Sequence, residues 1–267
     1  MATILQFKRN VNSQNGEDGI IEEIFKIMNI KRGNFIEFGA WDGKAFSNTY
    51  KLFEEGWSGI YIEADAAKYV DLVRNFQPYE HITCLKEYVG FGATDSLDAI
   101  IDRSNHNNKS FDFVSIDVDG LDYFIFDKFS KYLPKVICIE VNSGHSPLFS
   151  EVIPKHIAEN NIGQSLTVMS TLAREKGYFP LCYNGNLFLV KNEYKPLFEK
   201  YTKPIEAIYM DFLNHIIKPD LELANYLYNL YCLPDTNVRY SRQLNQFHFI
   251  FPENEYMTDF LTELLGR

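Results

Sequence analysis

Apolar and polar positions switch between two periods along residues 18–190. Ile20, Ile21, Ile24, Phe25 and Met28 fall at helical spacing and predict an amphipathic helix over 18–28. The next run, Phe35-Ile36-Glu37-Phe38-Gly39, is short, aromatic and β-branched and ends in glycine, which predicts a strand. The alternation then continues with helices over 49–55, 66–76, 95–101 and 164–176 and strands over 59–63, 82–89, 111–117 and 136–141. Val136-Ile137-Cys138-Ile139 has no polar interruption, as expected of a strand covered on both faces. Residues 178–183 and 187–190 flank Asn184-Gly185-Asn186, a turn composition that predicts a β-hairpin. Strands that alternate with helices build a mostly parallel sheet with helices on both faces. The expected fold class is therefore α/β, with a mostly parallel seven-stranded sheet ending in an antiparallel hairpin. From Tyr194 onward the pattern changes to aromatic-rich helical runs over 205–217, 221–231 and 255–265, punctuated by Pro196, Pro204, Pro219 and Pro234. A domain over 1–193 is thus expected to carry a helical appendage over 194–267, without further strands, that caps the site or contacts a second copy in a homodimer.

Composition narrows the function. A chain of 267 residues, 46% hydrophobic and 15% aromatic, buries roughly three quarters of its unfolded surface, so global disorder is excluded. Its 36 acidic and 26 basic residues give a formal charge of -10, without the basic excess of a phosphate-backbone binder. Nucleic acid is not an expected partner. Cys84, Cys138, Cys182 and Cys232 are dispersed, with no CxxC pair and no zinc-finger spacing, and read as reduced packing residues. The first residues reach Lys8-Arg9 before any long apolar run, so no secretory leader or membrane span is expected and the cytoplasm is the expected location.

Two features point to a nucleoside ligand. Glu37-Phe38-Gly39-Ala40-Trp41-Asp42-Gly43 is a glycine turn at the carboxyl end of the first strand, where doubly wound sheets bind ligands. A dinucleotide site would want GxGxxG, yet Trp41 and Asp42 stand where a pyrophosphate would pass, which disfavours nicotinamide cofactors. S-adenosylmethionine, with a sulfonium, an ammonium and one carboxylate, is compatible with an acid-lined turn; a tight turn without ligand is the plainer alternative. Glu63 ends the second strand 24 residues after Gly39, a position from which an acid accepts both ribose hydroxyls or stands as an exposed strand-end glutamate.

Residues 13–190 resemble the FkbM-like S-adenosylmethionine-dependent methyltransferases. Ser13-Gln14-Asn15-Gly16-Glu17-Asp18 is similar to the SQxGED opening of one branch. Residues 35–43, 61–65 and Ser115-Ile116-Asp117-Val118-Asp119-Gly120 are similar to its cofactor and active-site segments, and Gly163-Gln164-Ser165-Leu166 and 186–190 continue the match. The resemblance implies a Rossmann-like class I methyltransferase fold and S-adenosylmethionine held by Gln14, Glu37, Gly39, Ala40, Gly43, Glu63 and Asp117. It implies an oxygen acceptor on a small molecule, in particular a sugar or phosphate-bearing precursor of a cell-surface glycan such as capsule polysaccharide.

A third constellation places Asp117 and Asp119 after the fourth strand and Glu140, Asn142 and His145 after the fifth. If these strands are neighbours, the acids crowd together. Asp117, Glu140 and His145 then suit Mg²⁺ or Mn²⁺; alternatively Asp117 is a lone base, Asp119 caps a turn and His145 is a loop residue. The general base for an acceptor hydroxyl is Asp117 or His145. In Asp117-Val118-Asp119-Gly120-Leu121-Asp122 the glycine comes too early for an EF-hand. Tyr88 borders adenine or belongs to the core, and Ser115 lacks the GxSxG context of a hydrolase nucleophile. A nicotinamide oxidoreductase and a non-catalytic interaction protein are the rival readings.

Overall fold

The computed structural model describes residues 2–104, 106, 108–142, 145, 149–216, 237–241 and 246–250. Its main sheet contains β1 (Asn34–Phe38), β2 (Ser58–Ile62), β3 (Ile82–Leu85), β4 (Phe113–Ile116), β5 (Val136–Glu140), β6 (Tyr178–Tyr183) and β7 (Asn186–Lys191), in the order β3-β2-β1-β4-β5-β7-β6. The first five strands are parallel; β7 runs antiparallel to β5 and β6 to β7. This is the expected α/β class, closed by the expected hairpin. Its turn places Gly185 at φ +112°, where glycine carries no steric cost. Pro180 lies in β6 at the sheet edge, beside a register shift, where a missing N–H costs no ladder bond.

Helices α1 (Glu17–Ile27), α2 (Tyr50–Glu54), α3 (Ala66–Phe76), α4 (Leu97–Arg103), α5 (Asp122–Lys128), α6 (Lys155–Ala158), α7 (Leu166–Glu175) and α8 (Ile205–Ile216) complete the layers. Alternate strand residues feed two buried clusters. Ile36, Ile60, Val114, Ile137 and Leu189 meet residues of α4, α5, α7 and α8, whereas Phe35, Tyr61, Phe113, Cys138 and Phe188 meet α1 and α3. Each fully buried aliphatic or Phe side chain contributes about 1.5–3 kcal/mol. Beyond the hairpin, Phe198 and Tyr201 join one cluster and Ile205, Ile208, Tyr209 and Phe212 the other.

Several elements differ from expectation. The strand expected over 82–89 ends at Leu85, because residues 86–89 leave the sheet toward its carboxyl end. Helices α5 and α6 are too short for a clear period and were not anticipated. β8 (Asn237–Ser241) and β9 (Gln246–Ile250) pair antiparallel where helices alone were expected; Val238, Tyr240, Phe247 and Phe249 give that stretch a strand period of two. The helices expected over 221–231 and 255–265, and Cys232, lie outside the described residues. Cys84, Cys138 and Cys182 are free thiols. Among the described residues, no helix is long and apolar enough to cross a membrane.

Candidate active site

β1 pairs with β2 on one side and β4 on the other, so the chain reverses its direction of winding between β1 and β4. Such a switch point opens a crevice at the strand carboxyl ends, and a cavity of ≈ 140 Å³ lies there, lined by Gly39, Glu63, Tyr88, Val89, Val118 and Ile125 among others. This is less than the ~300 Å³ of a whole small-ligand pocket and fits one end of a ligand. Gly39 has φ +70°, and a Cβ on it would stand 2.7 Å from the Asp117 carbonyl oxygen. Glycine here lets the ends of β1 and β4 close on each other. The Ala40 N–H donates to the Ile62 carbonyl at 3.2 Å, which ties the turn to β2.

Glu63 is 6% exposed; its Oε2 accepts the Trp41 N–H and its Oε1 the Asp65 N–H, each at 2.8 Å. A carboxylate has about four lone-pair sites, so each oxygen keeps one for a ligand hydroxyl. Tyr88 stands exposed at the rim and Val89 is buried below it. Both come from the segment that leaves the sheet after Leu85. Trp41 and Phe46 adopt φ +50° and +60°, are 44% and 58% exposed, and place their ring centroids 6.3 Å apart.

Other residues expected at the cofactor do not line this cavity. Glu37 is not among the cavity walls: its carboxylate accepts Ser47 Oγ at 2.6 Å, Thr49 Oγ1 at 2.6 Å and the Asn48 N–H at 2.9 Å. Burial raises its pKa, and the three donors oppose that rise. Gly43 has φ +73° and packs on Phe76 and Leu72 of α3. Gln14 is exposed in the turn before α1. Its neighbours are bound tightly: Glu17 accepts from Asn15 N (2.7 Å), Asn184 Nδ2 (3.2 Å) and Asn186 Nδ2 (3.1 Å), and Asp18 Oδ2 accepts the amides of Val11, Asn12 and Ser13. This fixes the segment before α1 against the β6–β7 turn. Asn186 is the register partner of Glu140, so the contact lies at the ligand end of the sheet.

The acid cluster forms, with a different third member. Asp117, Asp119 and Glu140 bring one oxygen each within 4.8 Å of one another. His145 stands outside that group: its Nε2–H donates to the Ile162 carbonyl at 3.0 Å and its ring stacks near Phe149. Asn142 Nδ2 donates to the same carbonyl at 2.5 Å. Residues 153–164 close into a loop over the β4 and β5 ends, because the buried Gln164 amide takes the Ile153 N–H and donates to the Ile153 carbonyl, both at 2.8 Å.

Sequence reasoning missed Asp122. It is 3% exposed; Oδ1 accepts Val118 N–H and Oδ2 accepts Gly120 N–H, both at 3.0 Å. Burial first, and the nearby Glu140 charge second, push its carboxyl up to about 7. The signal in the sequence was an acid two residues after a glycine turn.

No protein-family model matches the chain, and no curated protein does. Among solved structures, it is similar to a SAM dependent methyltransferase from Aquifex aeolicus at 12% identity, covering 63% of this chain and 87% of that one with a TM-score of 0.39. The CurJ carbon methyltransferase gives 11%, 70%, 56% and 0.45, and a TehB-like SAM-dependent methyltransferase from Corynebacterium glutamicum gives 9%, 63%, 85% and 0.38. The fold class stands on the strand order itself.

Proposed function

We propose that the chain is an S-adenosylmethionine-dependent O-methyltransferase acting in the cytoplasm on a sugar or phosphate-bearing precursor of a cell-surface glycan. The observation that carries this reading is the switch-point cavity. It joins a glycine turn without a pyrophosphate path, an acid with lone pairs left for ribose hydroxyls, and apolar walls beside Tyr88 for a base.

S-adenosylmethionine, when bound, would supply a methyl carbon to the acceptor oxygen, the O–C bond forming in line as the C–S bond breaks and S-adenosylhomocysteine leaves. Glu63 holds the ribose end, and Gly39 keeps the β1 and β4 ends close enough for a ligand to reach both. Holding acceptor and donor in line supplies much of the rate. Asp117, at the end of β4, takes the acceptor hydroxyl proton as general base. In the alternative route Asp117, Asp119 and Glu140 would instead hold a hard divalent cation such as Mg²⁺ or Mn²⁺, which would lower the pKa of that hydroxyl. His145, turned to Ile162, is left out of this set.

The test is the melting temperature with S-adenosylhomocysteine, with and without Mn²⁺ or EDTA. A ligand at a hundredfold excess over Kd adds about 2.7 kcal/mol, a rise of roughly 5–10 °C for a chain of this size. An unchanged melting temperature sinks the cofactor reading. A rise with S-adenosylhomocysteine that neither Mn²⁺ nor EDTA alters removes the cation.

A further inference from the structure

Asp122 opens α5 but does not serve as an ordinary helix cap. Asp65, at the start of α3, receives the Ala67 and Lys68 amides of its own first turn from an exposed position. The Asp122 carboxylate reaches backward instead, to Val118 and Gly120, and is buried while doing so. Burying a carboxylate beside a second acid, Glu140, is costly. A solvated acid would satisfy the helix end without that penalty, so the loop behind the helix accounts for the buried position.

That loop turns sharply. Asp119 has φ +54° and Gly120 φ +116°, two successive residues outside the region that extended or helical chain prefers. Gly120 also lies so close to the neighbouring loop that a Cβ on it would stand 2.2 Å from the Ala158 carbonyl oxygen. The two amides that Asp122 receives bracket Asp119. The segment they fix has three duties at once: Val118 forms a wall of the cavity, the Asp117 carbonyl is the surface that Gly39 packs against, and the Asp117 and Asp119 carboxylates belong to the acid cluster.

We infer that Asp122 is a positioning residue, whose buried carboxylate clasps residues 118–120 and so sets both the Val118 wall of the cofactor cavity and the placement of Asp117. This rests on the cofactor reading above and adds to it a residue that touches neither cofactor nor acceptor. Asparagine at 122 keeps the shape but presents an oxygen to only one of the two amides.

The experiment measures S-adenosylhomocysteine affinity by calorimetry for the wild type and Asp122→Asn, alongside ligand-free melting temperatures and amide proton shifts. The expected result is at least a tenfold loss of affinity with the fold retained, and displaced Val118 and Gly120 amide resonances while those of Ala67 and Lys68 stay in place. A merely structural role would not confine the shifts to that loop while separating affinity from stability. If Asp122→Asn does not fold, hydrogen exchange on the wild type decides: Val118 and Gly120 amides are expected to be protected, and further protected by S-adenosylhomocysteine. Rapid exchange at both overturns the clasp. Undiminished affinity in a folded Asp122→Asn, with the wild type binding, overturns this inference alone. No binding by the wild type overturns the cofactor reading and this inference with it.

Discussion

The carboxyl ends of β1 and β2 and those of β4 and β5 form the two halves of one mouth, and they space their acids differently. On the first side the acids stand apart on separate donors: Glu63 on two backbone amides, Glu37 on two hydroxyls and an amide, and Glu87 at the cavity edge on Arg103. On the second side Asp117, Asp119 and Glu140 gather within 4.8 Å, with Asp122 buried behind them. A half whose acids are spread over separate donors offers directed hydrogen bonds and shape. A half that gathers its acids favours a positive centre.

The largest effect is expected at the point where the halves touch. Gly39→Ala introduces a Cβ against the Asp117 carbonyl at positive φ; a loss of about 1–3 kcal/mol of stability and of measurable S-adenosylhomocysteine binding is expected, read by denaturation and calorimetry. Next, Glu63→Ala should weaken S-adenosylhomocysteine by roughly 10–100-fold, since bonds to a charged group are worth about 1.5–3 kcal/mol. Glu140→Gln should leave that affinity within about threefold and abolish any Mn²⁺-dependent rise in melting temperature. If both variants lose cofactor equally, the division into two halves is wrong.

The charged half also predicts a pH dependence. Asp122 is raised to about 7 in the fold and titrates near 3.9 when unfolded. Its contribution is therefore complete below pH 4 and is lost as pH rises through 7. Between those limits the folded state holds the extra proton, and stability falls with a slope of up to about 1.4 kcal/mol per pH unit. Denaturation across pH 4–8 should show this fall in the wild type and a flatter profile in Asp122→Asn. The smallest effect belongs to Arg103→Ala. Its ion pair with Glu87 is largely exposed, so under 1 kcal/mol is expected, and any change in S-adenosylhomocysteine affinity should vanish in high salt.

The sheet was legible because its strands are buried on both faces and its helices on one, which writes two distinct periods into the chain. The 66–76 helix coincides with α3, and the Asn-Gly-Asn turn with the hairpin. α5 was not legible: Tyr123, Phe124, Ile125 and Phe126 are apolar in succession and show no helical stripe. β8 and β9 were hidden by the helical reading of their surroundings. Spacing put Gly39 and Glu63 on the cavity and Asp117 and Glu140 in the acid cluster, because strand ends fix where such residues stand. It failed to separate Glu37 from Glu63. Both are glutamates at or beside a strand end, and only the hydroxyls of Ser47 and Thr49, folded back from the next turn, make one internal. The direction of His145 was not legible for a similar reason: this loop residue meets the Ile162 carbonyl, far along the chain.

The Gln164 clasp on Ile153 has a consequence for how such a protein changes over evolutionary time. One side-chain amide closes the ten residues between Ile153 and Gln164 into a loop at its base. Lengthening such a loop costs little, about 0.6 kcal/mol for each doubling. The segment over the β4 and β5 ends can thereby change in length at little cost in stability.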